Sequence, residues 1–329
     1  MKILLLTKAR GLGELILRNG FIKLLGESNV YSFEDIPYES YLDSYDLILI
    51  FRDFVISNLS YVKYVLNHGT KIAFIDVYDD PLIHKLFFHP KISVYFKREL
   101  YNISFNNYKF LLAAQYKYYL SYFSMENMAN YLNLLEMIKA YRSSKLKPLP
   151  LSYIENPNFK PSYSKTISVS YIANLPKSLN IKHKLSTINI LKERISVAKV
   201  LKQFKNSFIY LGSEHRKGLP HETYLKILSQ SLCAVSTYGM GFDTVRYWEI
   251  PYSGSVLISR KPRTLIPNNL KEDKHAFFFD NLRELKQHVE YIIEAPEYAI
   301  EIGREAREFV MKFHSPEARA RTIINALTQ

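Results

Sequence analysis

Between Ser236 and Gly254 the chain reads STYGMGFDTVRYWEIPYSG. The β-branched, apolar run from Leu232 to Thr237 predicts a strand, and it stops in Gly239-Met240-Gly241. Asp243 or Thr244 then caps a helix on which Arg246 and Glu249 follow three residues apart. A strand that ends in glycines and opens a helix makes an anion site. Backbone at Gly239 and Gly241 can approach a phosphate closely, and unpaired N–H groups of the helix start point at it. Residues three apart share a helical face, so a guanidinium for phosphate and an acceptor-only carboxylate for sugar hydroxyls lie side by side. A nucleotide-linked sugar needs both.

Other candidates stand at strand ends. Gly11 and Gly13, in KARGLGE after the first apolar run, suit approach to a phosphate. Ile16 replaces the third glycine of a dinucleotide fingerprint, although Glu34 and Asp35 lie about where its ribose-binding acid would stand, so dinucleotide binding is the weaker alternative. Asp53 ends one buried run, and Asp79-Asp80-Pro81 follows another with His84 beyond. Doubly wound sheets place their sites at the carboxyl ends of strands, which makes Asp53, Asp80 and His84 the candidate bases for an acceptor hydroxyl. Arg216 and Lys217 follow the SFIYLG run that ends at Gly212 and place two positive charges in the loop beyond it. No Asp-x-Asp follows a strand, and no HExxH or paired His/Cys spacing occurs, so no metal site and no cofactor are expected. The electrostatics then fall to backbone and basic side chains. Cys233, the single cysteine, reads as buried filler of its strand.

The elements that must position these residues alternate. KILLLT, VYSFE, DLILIF, KIAFID and SVYFKREL are short apolar runs separated by helical stretches, one running through Leu25 and one closed by Gly69. Phe105 to Tyr141 carries apolar and aromatic residues at helical spacing. Four prolines, at 148, 150, 157 and 161, then prevent any helix or central strand. A second alternating series follows: TISVSYIAN, a helix over 183–204, SFIYLG, a helix in PHETYLKILSQS, LCAVST, SVLISR, HAFFFD and long amphipathic helices. Two parallel, doubly wound α/β domains are expected, 1–150 and 151–329. At 329 residues, with 47% hydrophobic and 23% charged residues, the chain suits two soluble domains, and its start reads as a first strand rather than a leader. A cytoplasmic protein is expected.

Residues 206–329 resemble the C-terminal half of GT-B glycosyltransferases, closest to the spore-maturation-type and group 1 families. Their R-[YF]-x-E-x-x-x-x-G pattern is matched by Arg246, Tyr247, Glu249 and Gly254. Their aromatic-Asp before an Asn/Glu-Leu helix is matched by Phe279, Asp280, Leu282 and Leu285, and their ending by Gly303-Arg304 and His314-Ser315. The N-terminal half resembles them only loosely. The resemblance implies two Rossmann-like domains facing a cleft, with the last helix packing back on the N-terminal domain. It implies a transferase that moves sugar from a nucleotide diphosphate sugar to a glycan, lipid or protein acceptor. Glu249 would take the ribose hydroxyls, and Gly11, Gly13, Gly212, Arg216, Lys217, Gly239, Gly241 and Arg246 would line the donor. A non-catalytic sugar-nucleotide binder shares all of these features.

The net charge of +13 is uneven, since Lys139 to Lys205 holds fourteen Lys/Arg against Glu155 and Glu193. Such a band attracts nucleic acid, the less expected partner, or an anionic membrane face, and a binding protein without catalysis is the rival these charges raise. Each Lys or Arg near an anionic surface contributes roughly 1 kcal/mol. The protein should therefore sediment with anionic but not neutral liposomes at low salt and be released by added salt. Recovery in the supernatant with both would make the band a solvated surface.

Overall fold

The computed structural model describes residues 1–7, 11–33, 42–68, 71–80, 82–101, 130–175, 184–212, 218–239 and 241–328. Glu34, Asp35, Gly69, Pro81, Arg216, Lys217, Met240 and the stretch 105–129 of the expected tyrosine-rich helix lie outside them. Two compact units are present. The first holds Met1–Ser152, Thr264–Ile266 and Pro316–Gln329, and the second holds Tyr153–Arg263 and Pro267–Ser315.

In the first unit the chain runs β1 (Ile3–Leu6), α1 (Leu12–Leu25), β2 (Val30–Ser32), β3 (Leu47–Phe51), α2 (Arg52–Ser57), α3 (Leu59–His68), β4 (Ile72–Asp76), β5 (Ile92–Lys97), α4 (Leu134–Tyr141) and β6 (Leu146–Pro148). All pairs are parallel, in the order β2-β1-β3-β4-β5-β6. Every residue of β1, β3 and β4 is buried, as expected for a parallel sheet covered on both faces, and this is why these strands read as unbroken apolar runs. The second unit continues with β7 (Ile167–Asn174), α5 (Lys184–Leu201), β8 (Ser207–Gly212), α6 (His221–Ser229), β9 (Ser231–Ser236), α7 (Val245–Tyr252), β10 (Val256–Arg260), β11 (Ala276–Phe279), α8 (Leu282–Glu294) and α9 (Pro296–Phe313). Its sheet order is β11-β10-β9-β7-β8, again parallel. The two Rossmann-like α/β folds expected from the alternating runs are both there.

The last helix, α10 (Pro316–Thr328), belongs to the first unit. Ala320 and Ile323 enter the core made by Leu17, Phe21 and the β1–β3 strands, and the buried Arg319 donates from Nε and Nη2 to the Leu151 carbonyl at 3.0 and 2.9 Å. The proline-rich stretch forms no helix or strand between Pro148 and Ile167. It is pinned nonetheless: Tyr153 stacks on Tyr252 at 4.0 Å within the second unit.

Charge is buried at the carboxyl ends of β3, β4 and β5. Arg52 Nη1 lies 3.2 Å from Asp76 and 3.0 Å from Asp80, while Lys97 Nζ lies 3.0 Å from Asp76 and 3.5 Å from Asp80. Tyr95 donates to Asp76 at 2.8 Å, and the Arg52 guanidinium sits between the rings of Tyr78 and Tyr131. Burial alone would raise the Asp76 carboxyl, but the Arg52 and Lys97 charges outweigh it and hold it below the usual carboxylate value. A depressed pKa stabilises the fold above the unfolded value, and that contribution disappears as pH falls through the folded one. Arg52→Met leaves Asp76 and Asp80 with Lys97 alone and should destabilise the protein by about 3–5 kcal/mol in urea melts at neutral pH. The deficit should shrink in acid below the usual carboxylate range. A variant as stable as wild type at pH 7 would show that the cluster contributes nothing.

Candidate functional site

Both sheets reverse strand order once, and such reversals place ligands outside the carboxyl ends of the two strands involved. In the second unit the reversal lies between β7 and β9. β7 ends at Asn174, and β9 runs out through Ser236 into the buried Thr237, whose hydroxyl meets the Tyr171 hydroxyl at 2.9 Å. A turn follows in which Gly239 N donates to Gly241 O at 3.0 Å. Gly212 closes β8 beside Asn174, and a Cβ there would oblige the Asn174 amide to turn away.

Thr244 is the N-cap of α7, and its side chain makes no capping bond. Asp243 is engaged inward, accepting from Trp248 Nε1 at 2.8 Å, and the Trp248 ring stacks on His314. α7 closes at Gly254, whose φ of +79° suits glycine. Gly303 of α9 presses on this turn, since a Cβ on Gly303 would lie 2.4 Å from Gly254 O. Lys165, pulled down to about 8 by burial, donates to the Gly254 and Ser229 carbonyls at 2.8 Å each. The glycine of the R-Y-x-E-x-x-x-x-G pattern is thus a backbone requirement, set by its left-handed φ, and it fixes where α7 ends.

Arg246 and Glu249 project from this held helix. Glu249 is buried at 4% exposure and accepts from His221 Nε2 of α6 at 2.8 Å. The Tyr224 phenol, also from α6, lies within the fields of both Glu249 and Arg246. Burial and then the Glu249 charge hold that phenol well above its ordinary range, so it remains a hydroxyl. Arg246 Nη1 is buried without a hydrogen-bond partner among the described residues. A second guanidinium, Arg194 of α5, comes close to it. Arg194 donates to the carbonyls of Asn174 and of Tyr238, the latter at 3.2 Å, while its buried Nε has no partner among the described residues. Burial first, then the Arg246 charge, lowers the Arg194 pKa. Two like charges beside a strand reversal, each with a buried N–H left over, make a site for an anion with more than one negative charge.

In the first unit the reversal lies between β1 and β3. Thr7, just past β1, donates to Asp53 at 3.4 Å. Gly11 is the N-cap of α1, and its N–H donates to Glu14 at 3.2 Å; Gly13 is half-buried against Val77 and Leu151. Glu14, 6% exposed, lies beside Thr7 and Asp53. Burial and the neighbouring Asp53 charge push its carboxyl up to about 7. Asp80 instead lies in the Arg52–Lys97 cluster and accepts from Leu82 N at 2.9 Å. His84 caps a short 3-10 turn, with Nδ1 accepting from Leu86 N at 3.2 Å and its ring stacked on Phe74. Burial, with help from Arg52, pushes it down to about 4, which leaves it neutral at pH 7.

Of the residues picked out by sequence, Arg246, Glu249, Gly212, Gly239 and Gly241 gather at one strand reversal, while Gly11, Gly13 and Asp53 gather at the other. Sequence spacing missed Glu14, Arg194, His221 and Tyr224. The available signals were an acid in the first turn after Gly13, and a His/Tyr pair three apart on α6 that mirrors Arg246/Glu249. Among the described residues no three His, Cys, Asp or Glu side chains are grouped to hold a metal, and no helix is long and apolar enough to cross a membrane.

A family model described as glycosyl transferase-like matches residues 191–325, which include Arg194, His221, Arg246 and Glu249. Two Rossmann-like units, with a glycosyl transferase-like match in the second, accord with the resemblance read from the sequence. Among solved structures the chain is similar to a mutant of S. aureus TarM in complex with fondaparinux, alpha-GlcNAc-glycerol and UDP. The identity is 12% and the TM-score 0.47, covering 86% of this chain and 55% of that one. It is similar to T4 phage β-glucosyltransferase at 15% identity and TM-score 0.47, with both chains covered in full. Sucrose-phosphate synthase from Thermosynechococcus elongatus follows at 13% identity and TM-score 0.45, covering 86% of this chain and 73% of that one. The chain spans about half the length of TarM. No curated protein matches the sequence.

The raised Glu14 carboxyl has a sign that can be measured. Between the usual value of 4.5 and about 7 the folded protein keeps a proton that the unfolded chain has released. Stability should therefore fall as pH rises through that window and level off above it. In urea melts from pH 4.5 to 8, Glu14→Gln should flatten this fall. An unchanged slope would mean that the carboxyl ionises normally.

Proposed function

We propose that this chain is a glycosyltransferase that moves a sugar from a nucleotide diphosphate sugar to an acceptor hydroxyl. The observation that carries this is the pair Arg194 and Arg246, each with a buried N–H left for a ligand, beside Glu249 in the glycosyl transferase-like segment. The diphosphate spans the two guanidiniums, and Glu249 accepts from the ribose hydroxyls with the lone pairs that His221 and Tyr224 leave open. As the acceptor oxygen bonds to the anomeric carbon, the bond from that carbon to the diphosphate breaks and its electron pair leaves with the phosphate. Fixed positive charge is most valuable where that negative charge grows, so Arg194 and Arg246 carry the electrostatic work and no metal is invoked.

The acceptor, whether glycan, lipid or protein, is assigned to the first unit. There the hydroxyl proton passes to Glu14, whose carboxyl is pushed up to about 7 by burial and the Asp53 charge. Asp80, ion-paired inside the unit, and His84, buried and neutral, are the weaker candidates.

Thermal melts with UDP-, GDP- and dTDP-sugars test the proposal. One of the three should raise Tm at modest salt, and Glu249→Ala should weaken its binding by about 10- to 100-fold while leaving the fold intact. Arg194→Ala should lower affinity for the bare nucleoside diphosphate as well. A protein that none of the nucleotides stabilises, and that transfers none of the sugars, is not this enzyme.

A further inference from the structure

Glu249 raises a question of its own. A carboxylate at 4% exposure needs a charged or hydrogen-bonding partner, and Arg246, one turn away on the same helix, is the obvious one. The structure pairs it otherwise. Glu249 instead accepts a hydrogen bond from His221, 28 residues upstream on α6, and the Tyr224 phenol lies within the fields of both Glu249 and Arg246. His221 and Tyr224 are three apart, as are Arg246 and Glu249, so each pair shares one face of its helix, and His221 joins the two faces through Glu249.

We propose that His221 and Tyr224 are positioning residues of the nucleotide site, joining the hydroxyl-binding carboxylate and the phosphate-binding guanidinium into one hydrogen-bonded unit. The inference rests on the donor site proposed above and assigns these two side chains a role there. Direction follows from donor and acceptor chemistry. His221 Nε2–H donates to Glu249, and the Tyr224 hydroxyl is the group able to donate to Glu249 while its oxygen accepts from Arg246. Each bond removes one rotational freedom from a long side chain before any ligand arrives, which is how a supporting shell raises affinity without touching the ligand. α6 is suited to the task because it is itself fixed. Leu225 and Leu228 are buried on the sheet side, and the helix runs directly into β9.

The arrangement divides the labour in a way that experiment can separate. His221 orients only the carboxylate, whereas Tyr224 touches both groups. Calorimetry should use the best-binding of UDP, GDP and dTDP, and inorganic pyrophosphate as the probe of the anion site alone. Circular dichroism should confirm that each variant is folded. His221→Ala should weaken the nucleoside diphosphate about ten-fold and leave pyrophosphate unchanged. His221→Gln, whose amide can donate the same bond, should recover most of the loss. Tyr224→Phe should weaken both ligands. In turnover, the three variants should raise donor KM more than they lower kcat. Wild-type nucleoside diphosphate affinity in His221→Ala and Tyr224→Phe would overturn the inference, as would equal losses of both ligands in His221→Ala. If the wild-type protein binds neither ligand, the donor site falls and the inference falls with it. If it binds both and only the variants disagree, the donor site stands and the inference alone is lost.

Discussion

A parallel sheet covered on both faces leaves its charged residues only the ends of its strands. In this protein β1, β3 and β4 are buried along their whole length, and the ionisable groups collect where the chain leaves the sheet. Each such group must find an opposite charge or hydrogen bonds, or keep capacity for something that binds. Which of these it does distinguishes a structural strand end from a functional one.

The two units resolve the constraint differently. In the first, Arg52, Asp76, Asp80 and Lys97 neutralise one another, and three tyrosines close around them. Such a cluster is expensive to disrupt, yet it offers a ligand little, because its charges already face each other. In the second unit the two arginines repel, and their acidic neighbours are committed elsewhere: Glu193 to Arg260 at 2.5 Å, Glu249 to His221. Among the described residues positive charge is left over where the strand order reverses. That surplus, rather than the presence of charge, points to an anionic ligand.

The same distinction explains what the sequence made legible. Strands were readable because full burial turns them into unbroken apolar runs, and Arg246 and Glu249 because three-residue spacing downstream of glycines is local. Asp53, Asp80 and His84 share one signature in sequence, a polar residue just beyond a buried run. Only the fold separates Asp53, beside Thr7 and Glu14, from Asp80, held by Arg52 and Lys97, and from His84, stacked on Phe74. Arg194 lay within a helix whose apolar face was its only visible pattern, and the arginine it meets stands far along the chain on another helix. No local pattern carries a contact of that length. Asp243 shows a further limit: its place before a helix suggests a cap, yet the indole N–H of Trp248 claims it.

α7 shows why such long contacts are worth making. Trp248 is fully buried between Asp243 and His314, Tyr247 donates to Asn269 at 2.7 Å, and Tyr252 stacks on Tyr153 while donating to Asn156 O at 3.2 Å. Gly254 is pressed by Gly303 and tied by Lys165. Every one of these contacts leaves from a face or an end of the helix other than the one bearing Arg246 and Glu249. A helix so short has little stability of its own, and this one is immobilised by its tertiary contacts. A guanidinium and a carboxylate on such a base need no reordering of backbone when a ligand arrives. The remaining freedom is in the two side chains themselves, and α6 is the element placed to remove it.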